Sequence, residues 1–163
     1  MGVGSMKEMG HMDEQGRPKM VDVSGKPESQ RIAIAKGLVK MQAATFERIK
    51  KGRVEKGDVL AVAQLAGIMA AKRTPHLIPL CHPIPIDEVK IDFELDEKSS
   101  TVEISAAVKS TGRTGVEMEA LTATAVTALT IYDMVKGIDR GARIENIRLV
   151  RKSGGKSGDI TLE

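Results

Sequence analysis

The sequence predicts an α+β fold in which an antiparallel sheet packs against long helices. Residues 89–95 and 101–110 alternate apolar and polar side chains with the period of a strand, and the short segment between them suits a tight turn. Residues 114–137 are mostly apolar and form the longest predicted helix, because side chains such as Leu121 and Ala125 recur at helical spacing. Adjacent strands followed by a helix favour antiparallel pairing, which is typical of the α+β class.

Length and composition suit a single domain. The chain has 163 residues, of which 41% are hydrophobic and 29% charged. Residues 1–19 are predicted to be a mobile N-terminal segment, and residues 20–163 a single catalytic domain. No apolar run approaches the ~20 residues that cross a bilayer, and no secretory signal is expected at the start. With Cys81 as the only cysteine, no internal disulfide can form, so a cytoplasmic location is expected.

Charge and aromatic content argue against a nucleic-acid partner. The net charge is only +3, and aromatic residues make up 2% of the chain, with no tryptophan. Proteins that bind single-stranded nucleic acid usually stack the bases on aromatic rings. A core without large rings must rely on aliphatic and small side chains, which suits closely packed helices and favours extra burial against a partner subunit.

The segment from residue 28 or 29 to Lys51 is predicted to be a helix. Ile34, Leu38 and Met41 recur on one face at helical spacing, and Gly52 follows the last turn. Before this helix, the sequence MVDVS is expected to be extended and to lead into a turn.

A second predicted helix begins at Asp58, whose carboxylate suits an N-cap. Its sequence, VLAVAQLAGIMAAK, is apolar on nearly every side, so we expect it to be buried. The helix is expected to stop at Thr74, because a residue that precedes proline is pushed into an extended conformation. The proline-rich stretch PHLIPLCHPIP then forms a stiff connector.

Residues 143–152 and 158–162 are predicted to form a second hairpin across the sequence SGGKSG. The stretch KSGGKSG combines glycines and lysines, as a phosphate loop does, but lacks the GxxxxGK[ST] spacing. A flexible turn is therefore the favoured interpretation. Lys56 ends a loop just before a helix begins, which is a suitable place for an anion.

The start of the long helix carries two carboxylates, each with two interpretations. Thr114 and Glu117 match a capping box, which would explain Glu117 without any catalysis. Glu119 is favourable in a first turn because of the helix dipole. Either carboxylate could instead serve a site.

The end of the same helix carries Asp133 and Lys136, and Gly137 is expected to provide a left-handed C-terminal cap. The two charged side chains are three residues apart and can meet on one face. An exposed ion pair of this kind is worth only ~0.5 kcal/mol. Since the neighbouring residues are apolar, a partly desolvated pair suited to proton transfer is the other interpretation.

The two charged ends are too far apart to reach one reacting centre within an intact helix. Glu119 and Asp133 are separated by 14 positions (133 − 119), which is roughly 21 Å along the axis. Three arrangements remain open. The helix could be broken, the two ends could serve different parts of a long ligand, or sites could form between subunits. We favour the last, with a stripe of small residues allowing close approach between copies: Ala120, Thr124, Thr127 and Ala128.

Cys81 and His82 are adjacent in the stiff connector. Neighbouring residues in an extended segment point to opposite sides, so they make a poor nucleophile–base pair. A zinc site is not predicted, because His11, His76 and His82 show no ligand spacing. The rigid frame would nonetheless hold an imidazole in place for a binding site.

Several longer motifs together resemble one known family. They are LIPLCHP, TGVEMEALTA, LTIYDMVK and KSGGKSGD, with MVDVS and KGDV in the same order before them. In this combination, the chain from residue 20 onward resembles the cyclic pyranopterin monophosphate synthases, also called molybdenum cofactor biosynthesis protein C. The resemblance implies a ferredoxin-like α+β fold, assembled as a homohexamer (a trimer of dimers) with sites at the dimer interface.

The resemblance also implies an activity and its residues. The family converts 3′,8-cyclo-7,8-dihydroguanosine 5′-triphosphate to cyclic pyranopterin monophosphate and releases pyrophosphate. The implied catalytic residues are Lys56, Asp133 and Lys136. The implied substrate-binding residues are Arg31, Leu80, Cys81, His82, Glu117, Met118, Glu119, Lys152 and Lys156. No protein-bound metal is implied, although Mg²⁺ can accompany the triphosphate.

The implied chemistry moves protons, so we expect a lysine whose pKa is lowered by burial or by cationic neighbours, with Asp133 holding it in place. Two other classes remain open from the residues themselves. One is a non-catalytic nucleotide- or nucleic-acid-binding module with the same fold, and the other is a purely structural oligomer subunit.

Overall fold

A computed structural model describes residues 12–163. Over this range the chain forms five strands and three helices. In chain order they are β1 (Ser29–Lys40), α1 (Ala43–Lys50), α2 (Val59–Leu77), β2 (Glu88–Asp96), β3 (Thr101–Gly112), α3 (Glu117–Val135), β4 (Arg143–Ser153) and β5 (Ile160–Thr161). Most of the predicted mobile segment, and His11, lie outside the described residues.

The five strands form one sheet in the order β2-β3-β1-β4-β5, and every neighbouring pair is antiparallel. Leaving aside the short β5, the succession βαββαβ with β1 and β3 in the middle is the ferredoxin-like arrangement. The predicted fold class is therefore confirmed. Helices α2 and α3 pack on each other and on the sheet. None of the helices within residues 12–163 has the length and apolar character needed to cross a membrane.

Both predicted hairpins are present. Strands β2 and β3 pair in register from Glu88↔Lys109 to Asp96↔Thr101, so the turn lies where the alternation stops. Strands β4 and β5 pair across the glycine-rich loop, although β5 has only two residues. Phe46 is the one aromatic side chain among the buried residues that the structure describes in the main core. The other buried side chains there are small or aliphatic.

The predicted helix from residue 29 to residue 51 is wrong over most of its length. Residues 29–40 form the central strand β1, and only Ala43–Lys50 is helical. Burial alternates along this strand with a period of two, and Ala33, Ala35 and Val39 are fully buried between less buried neighbours. Pairing with β3 on one side and with β4 on the other stabilises the strand over a helix.

The predicted stop of α2 at Thr74 is also wrong, because Pro75 lies inside the helix, which continues to Leu77. Proline has no N–H to donate to the carbonyl of Ala71, four residues earlier. The buried Thr74 hydroxyl donates to that carbonyl instead, at 3.0 Å. A side chain thus supplies the hydrogen bond that the proline ring removes. The predicted N-cap is confirmed, since Asp58 Oδ1 accepts from Ala61 N at 3.0 Å.

Helix α2 is not buried on every side, contrary to the expectation from its composition. Ala63, Gly67 and Ala71 face the interior, whereas Val62, Leu65 and Met69 are 43%, 60% and 45% exposed in the single protomer. The exposed side chains form an apolar face on the surface of the protomer.

Helix α3 is continuous over 19 residues, which confirms the predicted long helix and excludes a break in it. It begins at Glu117 rather than at Thr114, with Val116 as N-cap and no side-chain cap. The capping box is therefore absent. Lys136 is the C-terminal cap residue in right-handed conformation, and Gly137 is not left-handed, so that prediction is wrong too.

The stripe of small residues on α3 packs inside the protomer, so the predicted role between subunits is wrong. All four members are fully buried: Ala120, Thr124, Thr127 and Ala128. Thr124 approaches Gly37 of β1, and Thr127 approaches Gly67 of α2. Small side chains are needed there because the helices and sheet lie so close together.

We expect Gly67→Ala to destabilise the protein by about 1–2 kcal/mol. A Cβ at Gly67 would overlap Thr127 Oγ1 and lie 3.1 Å from the Ala123 carbonyl oxygen. Overpacking of this kind costs about 1–3 kcal/mol, which outweighs the gain of up to about 1 kcal/mol in helix propensity. Denaturant unfolding measures the difference. Gly25→Ala is the control, because a Cβ there meets nothing within 4 Å; equal stability of the two variants would contradict the packing argument.

Candidate functional site

The residues predicted to form the site fall into two groups at opposite ends of α3. Glu117, Met118 and Glu119 lie in its first turn, while Asp133 is in its last turn and Lys136 directly follows it. Because the helix is unbroken, the two groups are roughly 21 Å apart within one protomer.

A cleft of about 540 Å³ lies beside the first turn of α3, where the end of β3, the start of β1 and the β4–β5 loop converge. Five cationic side chains line it, and we call it the cationic cleft: Lys26, Arg31, Arg113, Lys152 and Lys156. Among the described residues that line the cleft, Glu117 is the only one with a carboxylate. Such an excess of positive charge in a concave site favours an anionic ligand.

The structure thus brings together Arg31, Lys152 and Lys156, as predicted, and adds Lys26 and Arg113. Neither Arg113 nor Lys26 lies within the motifs that carry the family resemblance. Lys26 lies in the turn just before β1, only five positions from Arg31, so its place in the cleft follows from that of the start of β1.

Glu117 forms an ion pair with Lys152 of β4 instead of capping its own helix. Both side chains are largely buried, with exposures of 25% and 22%. The close approach depends on Gly115, because a Cβ there would lie 2.6 Å from the Glu117 Cδ. The carboxylate therefore orients an ammonium group at the wall of the cationic cleft.

A second pocket of about 390 Å³ adjoins the cationic cleft, with which it shares Lys26, Thr114, Gly115 and Glu117. We call it the adjoining pocket. Its remaining lining residues come from the N-terminal segment, the proline-rich connector and the first turn of α3: Val21, Val23, Leu80, Cys81, His82, Met118 and Glu119. The five predicted substrate-binding residues that do not line the cationic cleft are therefore all here.

The connector residues in the adjoining pocket are held by a contact to the N-terminal segment. His82 Nε2 lies 2.6 Å from the carbonyl oxygen of Val21. A carbonyl can only accept, so Nε2 carries the hydrogen and Nδ1 is the other ring atom available to a ligand. Burial raises the pKa of the Cys81 thiol, and the nearby Glu119 raises it further. A thiol that stays protonated is a poor nucleophile, in line with the prediction.

Glu119 is the most perturbed carboxyl group near the site. Its side chain is only 3% exposed, and burial raises its pKa to about 7, with the charge on Glu117 adding to the effect. A carboxyl group that titrates near neutrality can both give and take a proton at physiological pH.

At the other end of α3, Asp133 bridges two lysines. Lys56 Nζ donates to the Asp133 carbonyl oxygen at 2.8 Å and to Oδ2 at 3.3 Å. Lys136 Nζ lies 2.6 Å from Asp133 Oδ1. These three residues, the lysine–aspartate group, come together from the α1–α2 loop and the end of α3. Two ammonium groups compensate for a carboxylate that opposes the helix dipole.

In the single protomer, the lysine–aspartate group fits the exposed ion pair, one of the two interpretations of Asp133 and Lys136, and the expected lowering of a lysine pKa is wrong. Its three side chains are about half exposed rather than desolvated. The hydrogen bond from Lys136 lowers the pKa of Asp133, and the same bond raises the pKa of Lys136 instead of lowering it. The apolar neighbours Met134 and Val135 are buried because helical periodicity turns them to the other face.

Within residues 12–163, no three or more His, Cys, Asp or Glu side chains cluster in a way that could hold a metal ion.

The pKa of Glu119 predicts a pH-dependent stability. The folded protein binds this proton more tightly than the unfolded chain, in which the group titrates near 4.5. Stability of the wild type should therefore fall as the pH rises from about 4.5 to about 7, relative to Glu119→Gln, which does not titrate. We expect the difference between the two proteins to change by roughly 2–3 kcal/mol between pH 5 and pH 8 in denaturant unfolding. A stability difference between the two proteins that stays constant with pH would contradict the raised pKa of Glu119.

The chain is similar over most of its length to proteins of one known family. The sequence model of the MoaC family matches residues 20–155. Curated relatives named cyclic pyranopterin monophosphate synthase include proteins from Thermomicrobium roseum, 55% identical over 94% of this chain and 92% of the relative, and Parvibaculum lavamentivorans, 59% identical over 94% and 96%. A third, from Heliobacterium modesticaldum, is 59% identical over 97% of this chain and 99% of the relative. The chain is therefore a member of the MoaC family.

Proposed function

We propose that this protein is a cyclic pyranopterin monophosphate synthase, a lyase of molybdenum cofactor biosynthesis. It converts 3′,8-cyclo-7,8-dihydroguanosine 5′-triphosphate to cyclic pyranopterin monophosphate and releases pyrophosphate. Membership of the MoaC family and the names of its relatives support this activity. The observation that carries it in the structure is the cationic cleft opening beside a pocket with a buried, titratable carboxyl group.

The two compartments suit the two halves of such a substrate. Five cationic side chains offer the charge that a triphosphate and a departing pyrophosphate need. The adjoining pocket supplies a mixed apolar and polar surface for the base-derived ring system, with Glu119 at its inner wall. Any Mg²⁺ would accompany the triphosphate, since phosphate oxygens are ligands that Mg²⁺ prefers.

Ring opening, ring closure and formation of the cyclic phosphate each require proton transfers. We assign these to Glu119 and to the lysine–aspartate group, in which Lys56 and Lys136 share the carboxylate of Asp133. A lysine becomes a better acid or base near neutrality when it loses contact with water, because desolvation lowers its pKa. The half-exposed lysines would therefore need to be covered.

An assembly of protomers would cover them and complete the site. Since α3 keeps the two groups roughly 21 Å apart, we place the cationic cleft of one protomer against the lysine–aspartate group of another. The exposed apolar side chains of α2, together with Leu129 of α3 at 57% exposure, are suited to such an interface. We propose a homohexamer, a trimer of dimers with the sites at the dimer interface.

The direct experiment incubates the protein with the cyclised nucleotide and measures pterin fluorescence after oxidation. We expect turnover by the wild type, and a loss of about 100-fold or more in kcat for Lys56→Ala and for Lys136→Ala, because each removes a proton-transfer group. Lys98→Ala, in the exposed β2–β3 turn, is the control and should be fully active. All variants should keep the oligomeric mass of the wild type.

Nucleotide binding without turnover would instead indicate a non-catalytic nucleotide-binding module. If neither binding nor turnover occurred, a structural subunit would be the remaining explanation. Full activity of both lysine variants would reject the roles assigned to Lys56 and Lys136.

Mixing two variants, each impaired in a different half of the site, tests whether the site is shared between protomers. Arg31→Ala removes a cation from the cleft, and Lys56→Ala disrupts the lysine–aspartate group. In randomly reassembled dimers, one site of each mixed pair would carry both changes and the other would be intact, so about a quarter of wild-type activity should return. A mixture of Lys56→Ala with Lys136→Ala changes the same half of the site and should stay inactive. Failure of the first mixture to regain activity would place both groups in one protomer.

A further inference from the structure

The loop between β4 and β5 contains three glycines in the left-handed region. The φ angles are 91° at Gly154, 75° at Gly155 and 63° at Gly158. Residues other than glycine rarely adopt this backbone conformation. Backbone conformation alone would therefore account for all three glycines, and only their surroundings distinguish them.

Gly155 differs from Gly158 in what lies next to it. A Cβ at Gly155 would lie 2.9 Å from the Arg31 Cζ and 3.1 Å from its Nη2, and still closer to Nη1. A Cβ at Gly158 would meet nothing within 4 Å. The loop backbone at Gly155 thus packs directly on the guanidinium group, at a distance that any side chain would prevent.

The other side of the guanidinium group is held by the end of β3. Arg31 Nε donates a hydrogen bond to the carbonyl oxygen of Gly112 at 3.0 Å. The group is therefore confined between β3 and the loop. Among the described residues, no carboxylate lies within ion-pair distance of Arg31, in contrast to Lys152, which pairs with Glu117. The Nη donors remain available to a ligand in the cationic cleft.

We propose that Gly155 is a positioning residue for Arg31. The absence of a side chain lets the loop backbone lie against the guanidinium group, which together with the Gly112 carbonyl fixes this group at the wall of the cationic cleft before the ligand arrives. Immobilising a flexible side chain in advance lowers the entropy cost of binding. The inference rests on the proposed function, in which Arg31 binds the triphosphate. It adds a role for Gly155, which has no side chain and acts on the phosphates only through Arg31.

The test compares four variants with the wild type: Gly155→Ala, Gly158→Ala, Arg31→Ala and the double variant Gly155→Ala/Arg31→Ala. Calorimetry measures the affinity for inorganic tripolyphosphate, and kinetics measure KM and kcat separately. Gly155→Ala and Gly158→Ala place alanine at nearly the same φ, so both should lose similar stability, but only the first displaces Arg31.

We expect Gly155→Ala to weaken tripolyphosphate binding about 10-fold and to raise KM more than it lowers kcat, because a charge-assisted contact is misplaced. Gly158→Ala should bind as the wild type does. The double variant should be no weaker than Arg31→Ala, since Gly155 acts only through Arg31. If Gly155→Ala does not fold, Gly155→Asn with Gly158→Asn as control serves the same purpose, because asparagine tolerates the left-handed region.

The possible failures are distinguishable. If Gly155→Ala binds like Gly158→Ala, or if its effect adds fully to that of Arg31→Ala, the positioning role is wrong and the proposed function is unaffected. If the wild type does not bind tripolyphosphate, or if Arg31→Ala binds as well as the wild type, then the triphosphate role of the cleft fails, and the inference about Gly155 fails with it.

Discussion

The unbroken length of α3 is the constraint on which the rest of the structure depends. The helix runs for 19 residues beneath the sheet and beside α2, and its small buried side chains allow both neighbours to approach closely. A helix packed so tightly is a rigid spacer, because bending it would open voids in the core. It therefore holds its first-turn carboxylates and its final Asp133 at opposite ends of the protomer. In the proposed assembly, chemistry that uses both ends therefore takes them from two copies of the chain.

The carboxyl groups at the two ends of α3 lie in different environments. Glu119 is buried and has no ion pair among residues 12–163, so burial brings its pKa to about 7. Asp133 is half exposed and bridges two ammonium groups, so its pKa is lowered and it remains ionised. One carboxyl group is thus suited to exchanging a proton, and the other to holding two lysines in place. Glu117 takes a third role, since it orients Lys152 at the wall of the cationic cleft.

Much of this arrangement could be predicted from local patterns, and the failures have identifiable physical causes. The β2–β3 hairpin and α3 have clear periodicity, and most residues that line the two pockets lie within the motifs of the family resemblance. Residues 29–40 carry apolar side chains at helical spacing, and it is pairing with two neighbouring strands that makes them a strand. Helix α2 passes Pro75 because the Thr74 hydroxyl replaces the missing donor. The capping box is absent because Lys152, distant in sequence, pairs with Glu117. Such long-range partners cannot be read from a short window of sequence.

A crystal structure of the assembled protein with inorganic tripolyphosphate bound would test the central claim most directly. We predict that the anion lies on Arg31 and Lys152 of one protomer, and that Lys56, Asp133 and Lys136 of a neighbouring protomer face the same enclosed cavity. An assembly in which the lysine–aspartate group faces solvent, or an interface remote from the cationic cleft, would contradict the account.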